Sequence, residues 1–225
     1  MAVLVGGGTG ALGGAVVREL LNSGRAVTTT WLVDRERDRI EAELGDRVSL
    51  VQADLLDEGG ARTAVDSVED LEAVVNLVGG FASGPKVHET EPDDFDRMVA
   101  LNLAPNFLLA RAAMPRLVEG GGGAFVAVSA RAALSPFPGA AGYVTGKAAV
   151  LAFIQALDTE YRDEGVRCNA ILPSVIDTPA NRAAMPDADV SKWVTPGEIA
   201  RVVRFLVSEE SAPVSGAAVP VYGRA

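Results

Sequence analysis

Apolar and polar positions along the chain fall into two alternating kinds of segment. Short, nearly unbroken apolar runs, most of them rich in valine, occupy 2–5, 26–31, 48–52, 73–78, 124–129, 166–172 and 217–221. Such runs are what strands buried on both faces look like, as parallel strands are. Helix-length segments at 11–23, 36–44, 59–69, 92–118, 140–164 and 196–208 lie between them. A crossover after each strand forces parallel pairing. The pattern therefore predicts an α/β fold, a Rossmann-like doubly wound parallel sheet of about seven strands with helices on both faces.

No repeat, linker or low-complexity tract divides residues 1–225, which read as a single domain. Gly120–Gly123 looks like a helix exit and turn. The long irregular segment, about 173–196, contains Pro173, Pro179, Pro186 and Pro196 and is expected to be a substrate loop.

Composition narrows the classes of function. The chain is 48% hydrophobic and 22% charged, enough for a sizeable core. Its formal charge of −10 argues against nucleic acid or an anionic membrane as a partner, since both need a basic face. It does not argue against an anionic cofactor held by backbone N–H groups. The single cysteine, Cys168, lies in an apolar run and reads as a packing residue. One cysteine, no charged leader at the N-terminus and no membrane-length apolar run lead to the expectation of a soluble, cytoplasmic protein. His88 is the only histidine and no ligand cluster suggests a metal.

Two motifs carry chemistry. After the first strand comes Gly6-Gly7-Gly8-Thr9-Gly10-Ala11-Leu12-Gly13-Gly14, then a helix. Glycines there let the backbone turn tightly and approach a pyrophosphate, and the helix N-terminus offers free N–H groups and positive dipole. Gly7, Thr9, Gly10, Ala11, Leu12 and Gly13 are thus candidate cofactor contacts. At the end of the second strand an acid commonly selects the ribose 2′-hydroxyl of NADH, and an arginine the 2′-phosphate of NADPH. That position holds Trp31, with Asp34 and Arg35 beyond it, so the choice stays open and leans to NADPH. The second motif is Gly142-Tyr143-Val144-Thr145-Gly146-Lys147. Tyr143 and Lys147, at i and i+4, share a helix face. A nearby ammonium favours a phenolate and lowers the tyrosine pKa, giving a usable general acid/base.

With these motifs in place the chain resembles the short-chain dehydrogenase/reductase family over essentially its whole length. The resemblance implies a role for several further positions. Asp54, followed by Leu55, matches the acid that caps the adenine pocket. Asn76-Leu77-Val78-Gly79 occupies the place of the Asn-Asn-Ala-Gly motif, which makes Asn76, Val78 and Gly79 cofactor contacts. Asn102 matches the asparagine that supports a proton-relay water. Tyr143 and Lys147 match Tyr-x-x-x-Lys, where the lysine also holds the nicotinamide ribose. Pro173, Ile176 and Thr178 match the segment beside the nicotinamide carboxamide. The family's catalytic serine lies thirteen residues before the tyrosine, where this chain has Ala130. Ser129 is adjacent and serves only if the strand end is shifted, because neighbours on a strand face opposite ways.

Gly79-Gly80-Phe81-Ala82, Ala130-Arg131-Ala132-Ala133-Leu134 and the stretch from Leu172 to Pro186 are similar to the dihydropteridine reductase-like branch, which keeps Tyr and Lys without the Ser. The resemblance implies hydride transfer from NAD(P)H to a ketone or aldehyde, or to a conjugated pterin-like or quinone-like substrate. The missing serine favours the conjugated class. Asp177, Asn181, Arg182 and Trp193 are candidate substrate contacts, and Arg131 is another. A non-catalytic dinucleotide sensor of the same fold is the competing reading. Self-association as a homodimer or homotetramer, through the helices around 92–118 and 140–164, is expected by resemblance.

Overall fold

The computed structural model describes residues 2–224. Its strands are β1 (Ala2–Gly6), β2 (Ala26–Trp31), β3 (Ser49–Gln52), β4 (Leu71–Asn76), β5 (Gly123–Val128), β6 (Val166–Pro173) and β7 (Ala218–Val221). They form one seven-stranded sheet in the order β3-β2-β1-β4-β5-β6-β7, parallel at every pairing. The helices are α1 (Ala11–Asn22), α2 (Asp34–Leu44), α3 (Glu58–Asp66), α4 (Pro92–Glu119), α5 (Ala141–Tyr161), α6 (Pro179–Ala184) and α7 (Pro196–Leu206).

Alternation along each strand divides the core in two. Leu4, Val74, Phe125, Ala127 and Cys168 pack under α3, α4 and α5. Val3, Val5, Ala73, Val75, Ala124 and Val126 pack under α1, α2 and α7. Both faces are covered, which is why most strands read as largely apolar runs and why Thr28, Thr29, Thr30 and Asn169 are buried polar residues within them. Burial pushes the Cys168 thiol up to about 12, so it stays a protonated packing group.

Two segments differ from the sequence-based expectation. β4 lies two residues earlier than 73–78. Leu77 and Val78 extend the apolar run, but pairing with β5 stops at Asn76, and Leu77 N–H donates instead to Gly6 O at 2.9 Å. The segment 173–196 is not wholly irregular. It contains α6, opened by Thr178, whose side chain accepts from Asn181 N–H, and by Pro179 in the first turn. An isolated parallel bridge between Ile176 and Val194 closes its base.

Connections from β1 and β4, neighbours in the sheet, leave toward opposite faces. That topological switch opens a crevice at the carboxyl ends of the strands, the usual place for a ligand in such sheets. α5 is brought to this crevice by close packing on α4. A Cβ at Gly142 would lie 3.3 Å from Phe95 Cα, and one at Gly146 would lie 3.2 Å from Met98 O. Small residues at 142 and 146 therefore seat the helix, and Tyr143 and Lys147, one step round, turn toward the strand ends.

Candidate functional site

The glycine-rich turn is held by two constraints. Gly7 sits at φ +74°, and its N–H donates to Thr30 Oγ1 at 2.9 Å. Gly13 passes so close beneath the turn that a Cβ there would lie 2.3 Å from Gly7 O. α1 then starts at Gly10 with no side-chain cap and no acid in its first turn. Its N–H groups, including those of Ala11 and Leu12, and the positive end of its dipole are left for an anion, so the turn fits a dinucleotide's pyrophosphate.

Thr9 is buried, and its side chain is engaged. The hydroxyl donates to Glu36 Oε2 at 3.1 Å, and the carbonyl accepts from Arg39. Glu36 and Arg39 thus brace the turn from α2. The sequence did not flag them, because alternating charges over 34–39 look like a solvated helix face. At the end of β2 the Arg37 guanidinium lies 4.6 Å over the Trp31 ring. Asp54 is exposed, with Oδ1 accepting from Leu56 N–H at 2.9 Å. The Leu55 side chain is buried in the core beneath Gly6, so a contact from this position to a cofactor would use its backbone.

Beyond β4 the expected Asn76 and Asn102 are joined by a third amide. Asn76 Oδ1 accepts from Val78 N–H at 3.1 Å, and its Nδ2 donates to Asn106 Oδ1 at 2.9 Å. Asn106 Nδ2 donates to Asn102 O at 2.9 Å. The Asn102 side chain clamps Gly80 from both sides, accepting from its N–H at 3.2 Å and donating to its carbonyl at 3.1 Å. All three asparagines are buried, and each bond removes the cost of a buried unpaired amide. Asn106 lies four residues after Asn102, and that spacing was the only signal the sequence held for it. Gly79 is caged in the same network. A Cβ there would lie 2.7 Å from Asn102 Oδ1 and 3.0 Å from Lys147 Nζ.

Lys147 is buried, and its Nζ donates to Val128 O at 2.9 Å. Burial lowers its pKa to about 8 and pushes the Tyr143 phenol up to about 12. This corrects the expectation that the ammonium lowers the tyrosine pKa. In the protein alone desolvation dominates both groups, so at neutral pH the phenol is protonated.

Ser129 is a further correction. Its N–H continues the ladder to Ile171 O, and its buried hydroxyl donates to Lys147 O at 2.7 Å. It faces α5 and secures the helix turn that carries Lys147, so it does not replace the hydroxyl absent at Ala130. Ser129→Ala is expected to cost about 1 kcal/mol of stability and less than tenfold in turnover. A loss of ~10²–10³ in turnover, the effect of removing an oxyanion donor, would restore a direct role. Urea unfolding and steady-state rates on one preparation measure both.

Around the loop after β6 the candidate contacts are taken up locally. Pro173 ends β6, Ile176 pairs with Val194, and Thr178 caps α6. Asp177 forms a bidentate pair with Arg182 at 2.5 and 2.8 Å, and Asn181 Nδ2 donates to Ile176 O at 2.8 Å. Trp193 is buried. Arg131 stacks 5.1 Å over the Tyr222 ring. Most of these side chains thus shape the loop, while Arg182 stays exposed in its pair with Asp177.

Comparison with known proteins agrees with this geometry. Residues 1–189 match the family described as short chain dehydrogenase. The chain is 31% identical to 2-(R)-hydroxypropyl-CoM dehydrogenase of Xanthobacter autotrophicus over 194 residues, covering 79% of this chain and 78% of that one. It is 28% identical to 2,5-dichloro-2,5-cyclohexadiene-1,4-diol dehydrogenase LinX of Sphingobium indicum over 235 residues, covering 98% and 94%. A short-chain type dehydrogenase/reductase from Mycobacterium ulcerans superposes with a TM-score of 0.93 at 26% identity, covering 99% of this chain and 88% of that one. The sheet order, the glycine-rich turn and the Tyr143–Lys147 helix have a common explanation: the chain belongs to the short-chain dehydrogenase family of oxidoreductases.

Proposed function

We propose that this chain reduces a carbonyl or a conjugated pterin-like or quinone-like substrate with NAD(P)H, Tyr143 acting as the general acid. The observation that carries the reading is Tyr143 beside a buried Lys147 on one face of α5, at the mouth of the switch-point crevice. When bound, the reduced nicotinamide supplies the hydride. Gly7, Gly10 and Gly13 with the start of α1 would hold the pyrophosphate, Asp54 would cap the adenine pocket, and Asn76, Val78 and Gly79 would contact the cofactor beyond β4. Lys147, held by Val128 O, presents a cation that favours the phenolate as the Tyr143 proton leaves. Asn102 fixes the Gly79–Gly80 turn next to Lys147 and supports the reprotonation route.

Trp31 in place of an acid, with Arg37 over its ring and Arg35 next to Asp34 in the sequence, supports NADPH over NADH. Ala130 supports a conjugated acceptor. With no hydroxyl there and Ser129 engaged elsewhere, the site has one donor fewer for an alkoxide, and a conjugated system spreads that charge itself. The test is cofactor oxidation with a quinonoid dihydropterin, 1,4-naphthoquinone and a panel of simple ketones, under NADH and NADPH separately. Expected is turnover fastest with NADPH and a conjugated acceptor, and a gain on ketones alone in Ala130→Ser. Tight cofactor binding without turnover on any acceptor would make the chain a dinucleotide sensor.

A further inference from the structure

Half-exposed aromatic rings at a crevice mouth need a reason, because large apolar side chains left in water forgo burial of roughly 25 cal/mol per Å². Phe81 is 62% exposed and Phe137 is 43% exposed. The two rings lie 6.3 Å apart, tilted by 39°. Phe81 also meets Tyr143 edge-on, with centroids 5.0 Å apart and planes at 85°. Leu134, Val175 and Met185, on the loops after β5 and β6, are exposed as well. Together these place five of the exposed large apolar side chains on loops at the carboxyl ends of β4, β5 and β6.

This wall is built to stay where it is. Asn102 pins Gly80, the residue before Phe81, by both its N–H and its carbonyl. The loop that carries Phe81 is tied to the loop that carries Phe137 by a backbone bond from Gly84 N–H to Gly139 O at 2.8 Å. A Cβ at Gly139 would lie 2.3 Å from Gly84 O, so the tie is close. Charged residues on the neighbouring loops are engaged with partners: Arg131 stacks on Tyr222, and Asp177 pairs with Arg182.

We infer that Phe81 and Phe137 form the specificity wall of the site and select an uncharged, ring-bearing carbonyl substrate, whose ring lies on Phe81 while its oxygen meets Tyr143. The inference rests on the reductase reading above and narrows its substrate class. It favours quinone-like and aryl-fused ketones over charged or short linear ones. An aromatic contact adds to what area burial alone gives, so losing the Phe81 ring together with its buried area should weaken a ring ligand about tenfold.

The test compares 2-tetralone with 2-butanone, two unconjugated ketones that differ in the fused ring, on the wild type, Phe81→Ala, Phe81→Leu and Phe137→Ala. Binding to the NADPH-loaded protein is read by saturation-transfer NMR, and turnover by cofactor oxidation. The expected result is at least tenfold tighter binding of 2-tetralone in the wild type. That preference falls to about threefold or less in Phe81→Ala and stays intermediate in Phe81→Leu and Phe137→Ala. Equal binding of the two ketones in the wild type, or an unchanged preference in Phe81→Ala, overturns the inference even if both ketones turn over. A shift of Phe81→Ala to smaller assemblies in sedimentation velocity, with ketone preference unchanged, would also overturn it and assign the rings to a contact between copies. A Phe81-dependent preference in binding with no turnover on either ketone, nor on 1,4-naphthoquinone, supports the wall and counts against the reductase reading.

Discussion

Tyr143→Phe is expected to lower turnover by ~10²–10⁴, the range for a positioned general acid, while leaving the dissociation constant for NADPH within about threefold. The substitution removes only the phenolic oxygen. The ring keeps its edge contact with Phe81 and its place on α5. The split between rate and binding is the informative part, because a misfolded crevice would lose both. Steady-state rates combined with cofactor titration by calorimetry measure it. An unchanged rate would remove Tyr143 from the mechanism.

Lys147→Met carries the second large effect, and it has a signature outside catalysis. Turnover is expected to fall by roughly 10²–10⁴, since the group that favours the Tyr143 phenolate is gone. Stability should report the same burial. Lys147 titrates near 8 in the folded protein, against an ordinary value of 10.5 in the unfolded chain. Between those values the unfolded chain holds a proton that the native one does not, so this group makes the wild type more stable as pH rises. Chemical unfolding of both proteins from pH 7 to 10.5 should therefore show the difference moving in the wild type's favour, by an amount on the order of 3 kcal/mol. Tyr143, raised to about 12, acts in the opposite sense. Its contribution is present below pH 10 and is lost as pH climbs toward 12, in wild type and variant alike. A pH-independent difference would mean that Lys147 is solvated and charged in the native state.

Much of this architecture could be read in the sequence because the physics is local or periodic. Runs such as 2–5 and 124–128 are apolar since helices cover both sides of the sheet, and the runs at 26–31 and 166–172, though they carry Thr28–Thr30, Arg167 and Asn169, became β2 and β6 nearly to the residue. The glycine-rich turn was readable because Gly7 needs a positive φ and Gly13 leaves no room for a side chain. The i, i+4 spacing of Tyr143 and Lys147 fixed their shared face. Even α6 left a trace in Thr178-Pro179, an N-cap followed by a proline, which the proline-rich context of 173–196 hid.

What the sequence left out depends on neighbours distant along the chain. The direction of the Tyr143 shift follows from burial, and burial is set by loops from β4 and β5 that spacing on α5 does not reveal. Ser129 and Ala130 are adjacent letters, yet the hydroxyl faces Lys147 O and is removed from substrate chemistry by one hydrogen bond. The amide chain from Asn76 through Asn106 to Asn102 joins β4 to two turns of α4, thirty residues away. The Asp177–Arg182 pair uses two charges that looked available to a substrate.

Label transfer tests the central claim most directly. The protein is incubated with NADPH doubly deuterated at the nicotinamide C4 and with 2-tetralone, and the alcohol product is examined by mass spectrometry. Hydride transfer within the crevice predicts one deuterium per product molecule at the carbinol carbon. Unlabelled alcohol, or no turnover of 2-tetralone, 1,4-naphthoquinone and a quinonoid dihydropterin alike by a protein that binds NADPH tightly, would contradict it.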